Sequence, residues 1–223
     1  MIGGSIMDEY RLPNEQMVKR EFEKLTSEVF LSLFTPEEKD PKYSAVVEFL
    51  NKIVHLNPKI KLKIVPKGSN PDLFTRYNIT EVPSLVIEDS GIQYTGIPAG
   101  PEAMVFIQTI VMKSNANSGI GDVIGRVLAS LTKKLHIRTI VTSQCTICPL
   151  AVRIGNMFSL ESALKGHHKI QHEVINATEH CDYVSKYDVS AVPIILINDQ
   201  TAFTGIPDVD KYVEKIIKEG KEG

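Results

Sequence analysis

The chain has no tryptophan and only three cysteines in 223 residues. Three is too few, and an odd number, for a scaffold stapled by disulfides. Two of them share one short motif, which suits a reducing compartment and a working dithiol. Neither sign of charge is in excess: 25 Lys and Arg stand against 27 Asp and Glu, a formal net charge of −2. That balance gives no field for nucleic acid or an anionic membrane surface, so neither is expected as a partner. No apolar run approaches the roughly 18 residues that a membrane-crossing helix needs. Residues 1–11 hold Asp8 and Glu9 and no apolar stretch, so a secretory leader is not expected and the cytoplasm is the expected compartment. A glycine-rich dinucleotide motif is missing too, so no bound cofactor is expected.

What the chain does have is itself twice. Arg76-Tyr77-Asn78-Ile79-Thr80-Glu81-Val82-Pro83 returns about 110 residues later as Lys186-Tyr187-Asp188-Val189-Ser190-Ala191-Val192-Pro193. An apolar run follows each proline, Ser84-Leu85-Val86-Ile87 and Ile194-Ile195-Leu196-Ile197. Each leads to one tetrad, Thr95-Gly96-Ile97-Pro98 and Thr204-Gly205-Ile206-Pro207. A repeat this long is a duplicated domain rather than a solenoid unit. The hydrophobic content of 43% suffices for two cores. The expected domains are 1–115 and 116–223, built on a repeat unit of about 105 to 110 residues. The small, polar residues 114–119 form the expected seam.

Each copy reads as strand, helix, strand, helix, strand, strand, helix. In the first copy strands are expected at 29–34, 60–65, 84–88 and 92–95, because they are short, apolar or alternating. Helices are expected at 44–56, 71–77 and 101–112, with Asn57-Pro58 stopping the first of them. In the second copy the strands are 137–142, 172–176, 193–198 and 202–204, and the helices are 149–164, 179–187 and 208–218. A helix precedes each copy, at 14–25 and at 122–135, the latter capped by Asp122.

Only the second copy carries a dithiol, Cys145-Thr146-Ile147-Cys148, about 48 residues before its proline. The matching place in the first copy is Thr35-Pro36-Glu37-Glu38-Lys39, read as a loop face without sulfur. A cysteine where a strand ends and a helix begins is held as thiolate by unpaired helix amides and the helix dipole. Thr139 to Gln144 supply the strand end and the residues after Pro149 the helix. Cys145, more exposed at that end, is the expected attacker of a substrate disulfide, and Cys148 resolves the mixed disulfide. Half a zinc site is the competing reading. It lacks two ligands, since Cys181 stands alone beside His180, and His167, His168 and His172 are unpaired in spacing. These three histidines are read as solvated around an edge strand. Cys181 is read as a small buried hydrophobe, against a sharper reading as a regulatory thiol or dimer cross-link. Val192-Pro193 opens a central strand, where proline cannot donate to the ladder. Its recurrence at Val82-Pro83 predicts a cis bond at each.

These residues together (strand, Cys145-Thr146-Ile147-Cys148-Pro149, helix, Ala191-Val192-Pro193, strand, Gly205) resemble the thioredoxin/glutaredoxin superfamily. With the duplication, the chain resembles the tandem-fold, glutaredoxin-like protein disulfide oxidoreductases. It is similar as well to the N-terminal domain of the F component of alkyl hydroperoxide reductase, whose first copy has also lost its cysteines. The resemblance implies an α/β fold: two thioredoxin folds side by side, their sheets joined into one mixed sheet with helices on both faces. It also implies that Cys145 is the nucleophile, Cys148 the resolving thiol and Pro193 the cis-proline, with the Val192 backbone binding extended substrate. Gly96-Ile97-Pro98-Ala99-Gly100-Pro101-Glu102 looks like the family's Gly-x-Pro-x-Gly-x-Glu segment. Glu102 would then exchange a proton with Cys148, against the plain reading of a solvated first-turn acid. The chain departs from the family at Thr146-Ile147, where tyrosine or histidine is usual. It departs again at Thr139, where thioredoxin has a buried acid, and at Gln144, where thioredoxin has tryptophan.

The expected activity is therefore protein-disulfide oxidoreduction, chiefly in the reducing direction. Electrons would come from a thioredoxin-reductase-type flavoprotein and go to disulfide-containing proteins. A dedicated donor to a peroxiredoxin is the nearest rival, and a non-catalytic redox-sensing module is the rival of another class.

Overall fold

The computed structural model describes residues 10 and 12–221; the expectation of no leader over residues 1–11 therefore lies, Tyr10 apart, outside the described residues. Asn14 caps α1 (Glu15–Phe22) by accepting from the Gln16 and Met17 amides, and the helix buries Val18 and Phe22. The strand β1 (Val29–Thr35) leads to α2 (Pro41–Val54). This helix starts ahead of the expected residue 44 because Asp40 caps it and Pro41 fits the first turn, where no partner exists for its missing N–H. Next come β2 (Ile60–Pro66), α3 (Pro71–Arg76), β3 (Ser84–Ile87), β4 (Ile92–Thr95), a 3₁₀ turn (Gly100–Glu102) and α4 (Ala103–Ser114). The second half repeats the order: α5 (Asp122–Ala129), β5 (Leu135–Val141), α6 (Cys148–Leu164), β6 (Ile170–Asn176), α7 (Cys181–Val184), β7 (Ile194–Ile197), β8 (Gln200–Thr204) and α8 (Val209–Gly220).

All eight strands form one sheet in the order β2-β1-β3-β4-β6-β5-β7-β8. The pairs β1–β2 and β5–β6 are parallel, and β1–β3, β3–β4, β5–β7 and β7–β8 are antiparallel. The halves join where β4 runs parallel to β6, from Ile92 opposite His172 to Thr95 opposite Ile175. Helices cover both faces. The cluster on one face draws Phe49 and Ile53 of α2, Phe106 and Ile110 of α4, and Val152 and Leu160 of α6 onto Leu33, Leu85, Tyr94 and Val174. On the other face α3 packs Leu73 and Phe74 on Phe34 and Val86, and α7 packs Val184 on Ile140 and Leu196.

Three expectations need correction. The pre-strand helix ends at Ala129 rather than 135, because the Thr132 and Lys133 amides donate to the Gly220 carbonyl at 2.9 and 3.0 Å. The helix expected at 179–187 shrinks to Cys181–Val184, since the Glu179 and His180 amides are held by the Asn176 carbonyl. Most consequential, β6 is an interior strand with partners on both sides, so His172 is buried at 1% exposure while His167 and His168 stay exposed.

His172 anchors a polar chain through the join. Its Nδ1 lies 2.7 Å from Asn156 Oδ1 and its Nε2 2.8 Å from Thr139 Oγ1. The Asn156 amide nitrogen donates to Tyr94 Oη and Thr109 Oγ1, so its oxygen must accept from Nδ1–H. Burial pulls the His172 pKa down to about 3, which keeps the ring neutral and lets Nε2 accept from the Thr139 hydroxyl. Gly155 makes room for this ring, for a Cβ there would sit 2.5 Å from its Cε1 and Nε2. Both ring nitrogens are bonded and the ring cannot swing aside. Gly155→Ala should therefore destabilise the protein by about 2–3 kcal/mol despite the better helix propensity of alanine. Urea unfolding of the two forms measures this; an unchanged midpoint would show that α6 slides without cost.

Candidate active site

The dithiol forms at the junction of β5 and α6. The strand ends at Val141, the chain turns through 142–147, and the helix opens on Cys148 with Pro149 beside it in the first turn. Residue Ile147, at the N-cap, offers no side-chain acceptor, so the first amides of α6 lack a conventional cap. Cys145 Sγ takes that role, accepting from the Cys148 amide at 3.1 Å. An N–H directed at sulfur at the positive end of a seventeen-residue helix is the arrangement that favours thiolate over thiol. Cys145 and Cys148 are joined as a disulfide with their Cα atoms 5.5 Å apart. Cys145 is partly exposed, while Cys148 is wholly buried in the apolar cluster shared by both halves.

Both X-Pro bonds expected to be cis are cis, Val82-Pro83 and Val192-Pro193. The second loop faces the dithiol: Val192 O lies 4.0 Å from Cys145 Sγ, and Pro193 O accepts from the Gly205 amide at 2.7 Å. Cys145, Cys148, Val192 and Pro193 are thus brought together. In the first half the corresponding turn exposes Glu37, Glu38 and Lys39, as expected of a loop face. Among the described residues no group of three or more His, Cys, Asp and Glu is placed to hold a metal ion.

Glu102 arrives from the first half. The Gly100–Glu102 turn packs on α6, and Glu102 is 4% exposed, not a solvated first-turn acid. Its Oε1 has no hydrogen-bond partner among the described residues, and burial raises its pKa from 4.5 to about 7. A narrow cavity beside it is lined by Tyr94, Gly96, Val141, Val174 and Asn176. A buried carboxyl with one unpartnered oxygen, titrating near neutrality, is equipped to take and return a proton.

Other expectations fare differently. Cys181 is an exposed free thiol rather than a buried hydrophobe, because α7 is a single short turn in which Val184 and Tyr183, not Cys181, pack toward the sheet. Sequence reasoning missed the Thr139–His172–Asn156 chain entirely; the one sequence signal was Gly155 inside an otherwise strong helix pattern. It also missed Glu179, whose carboxylate ties the halves together. No helix of the described residues is long and apolar enough to cross a membrane.

Residues 135–218 match the family model described as a thioredoxin domain. Over the whole fold, a protein disulfide oxidoreductase from Aeropyrum pernix superposes with a TM-score of 0.89 at 26% identity, covering 96% of each chain. The NTD_N/C domain of alkylhydroperoxide reductase AhpF from Enterococcus faecalis gives 0.79 at 23% identity, over 90% of this chain and 96% of that one. In sequence, the chain is 24% identical to an NADH dehydrogenase of Ferdinandcohnia aciditolerans over 62% of its own length. It spans only 27% of that relative. A thioredoxin of Methanocaldococcus jannaschii is 32% identical across 85 residues, 95% of its length and 38% of this chain. With a redox-active cysteine pair on a doubled fold of the disulfide-oxidoreductase type, and a thioredoxin matched over 95% of its length, this chain belongs to the thioredoxin family.

Proposed function

We propose that the protein reduces disulfides in other proteins by dithiol exchange. The observation that carries this reading is the asymmetry of the two sulfurs: Cys145 partly exposed at a helix N-terminus, Cys148 buried behind it. Cys145 thiolate attacks a substrate disulfide, forming a mixed disulfide and releasing one substrate thiolate. Cys148, losing its proton to Glu102, then attacks Cys145 Sγ and releases the second substrate thiolate, leaving the Cys145–Cys148 disulfide. The Val192 backbone beside Pro193 aligns an extended substrate strand across the sulfurs. Two electrons from a thioredoxin-reductase-type flavoprotein restore the dithiol, and the redox-active disulfide is the group that carries them. Similarity to a segment of an NADH dehydrogenase supports a nicotinamide-fed electron source. We read the chain as two domains, 1–115 and 116–223, and place it in the cytoplasm, which suits an exposed free thiol at Cys181.

The test is the rate of insulin reduction in dithiothreitol with and without the protein. Precipitation well ahead of dithiothreitol alone is the expected result. No acceleration would sink general reduction and favour a dedicated peroxiredoxin donor or a redox-sensing module.

A further inference from the structure

Glu179 is the most heavily bonded carboxylate at the join of the two halves. Its side chain is 2% exposed and gathers donors from four segments. Oε1 accepts from the Ile97 amide at 3.0 Å and from Asn176 Nδ2 at 3.0 Å. Oε2 accepts from Tyr10 Oη at 3.2 Å and pairs with Lys42 Nζ at 3.3 Å. Lys42 belongs to the first turn of α2, the turn that corresponds to the dithiol-bearing turn of α6. An ionised carboxylate suits this place because it accepts on both oxygens and donates nothing.

The segment it grips is the one that carries Glu102. Gly96 lies so close that a Cβ would meet Asn176 Cβ at 2.9 Å and Glu179 Oε1 at 3.0 Å, and its φ of +94° suits glycine. Ile97 is bonded directly, its carbonyl turns back onto the Ala99 amide at 2.8 Å, and the 3₁₀ turn ending at Glu102 follows. On the other side, Asn176 also donates to Ser143 Oγ at 3.2 Å, and the Ser143 amide donates to Thr178 Oγ1 at 3.2 Å. Ser143 lies two residues before Cys145. One carboxylate thus connects the loop leading into the dithiol with the segment leading to the proton acceptor.

We propose that Glu179 is a positioning residue, clamping residues 96–102 of the first half against the 143–145 loop and thereby holding Glu102 in place beside α6. This rests on the reading of Glu102 as the proton acceptor for Cys148. It gives the thiol-free half a part in the chemistry, since Lys42, Ile97 and Glu102 all come from it. The titratable groups around the clamp are Lys42, Tyr10 and His180, with Tyr94 facing Glu102.

The test compares Glu179→Ala, Glu179→Gln and Glu102→Gln in the full chain. One readout is hydrogen exchange at the Ile97 amide; the other is the pH profile of mixed-disulfide resolution, expected to turn near pH 7 in the wild type. Glu179→Ala should speed Ile97 exchange by roughly tenfold or more and move the inflection down toward the ordinary carboxylate range as water reaches Glu102. Glu179→Gln keeps an acceptor for Ile97 and should restore most of both. If Glu179→Ala does not fold, Asn176→Ala severs the link to Ser143 and should move the inflection in the same direction. An inflection unmoved in the folded Ala variant overturns the proposal. If instead the inflection survives Glu102→Gln, the reading of Glu102 is what fails, and Ile97 exchange still decides whether the clamp exists.

Discussion

Cys145→Ser should abolish the protein's contribution to insulin reduction, a loss of roughly three orders of magnitude or more. Cys148→Ser should abolish turnover as completely but leave a different product. With Cys145 intact, the first exchange still proceeds: its thiolate attacks the substrate disulfide, one substrate thiolate departs, and one substrate half stays bound to Cys145. Serine at 148 cannot displace it, so a 1:1 covalent adduct accumulates, visible by mass and released by reductant. Cys145→Ser should trap nothing, because the remaining thiol at 148 is fully buried and out of a substrate's reach. The geometry supports this asymmetry directly, since the helix amide at Cys148 points at Cys145 Sγ, at 3.1 Å. An adduct on the 148 thiol in Cys145→Ser would reverse the assignment. Adducts in both variants would point to Cys181, which is exposed and outside the pair.

Much of this site was legible in the sequence because its parts are local or repeated. A strand end, two cysteines three positions apart and a first-turn proline specify one turn of chain, and that turn forms as read. The two X-Pro positions were legible for a different reason: duplication presented the same unusual placement twice. The join between the halves was not legible, because it depends on contacts far apart in the chain. The strand read at 172–176 looks like an edge in isolation, and only pairing with β4 turns it into an interior strand and buries His172. Cys181 fails in the opposite direction. Its apolar character suggested burial, but α7 is too short to turn that position toward the sheet. Glu179 illustrates the limit most sharply. Nothing in the residues around it announces that Ile97, 82 positions earlier, will donate to its carboxylate.

Glu102→Gln should make the protein slower and more stable at once. On the proposal that Glu102 receives the Cys148 proton it must be ionised to do so, and resolution of the mixed disulfide should rise with pH through about 7 in the wild type. Glutamine cannot accept that proton. Resolution should fall by about 10²-fold above neutrality and lose its inflection, within the usual range for a positioned general base. For stability the sign runs the other way. Burial raises the folded-state pKa above its ordinary 4.5, so the folded protein holds this proton more tightly than the unfolded chain does. That contribution is fully present below pH 4.5 and is lost as pH rises through about 7. At pH 8 the wild type therefore bears the cost of an ionised, buried carboxylate that Gln does not carry, and the variant should be more stable by about 3 kcal/mol. Near pH 4 the two should unfold together. Denaturation at both pH values, beside single-turnover resolution rates, separates the possibilities. A variant that is slower but not more stable at pH 8 would mean that Glu102 gains water or a partner when the disulfide opens. One that is more stable but no slower would leave a buried acid with no part in the proton transfer, and the carboxyl's position against α6 would then be a matter of packing alone.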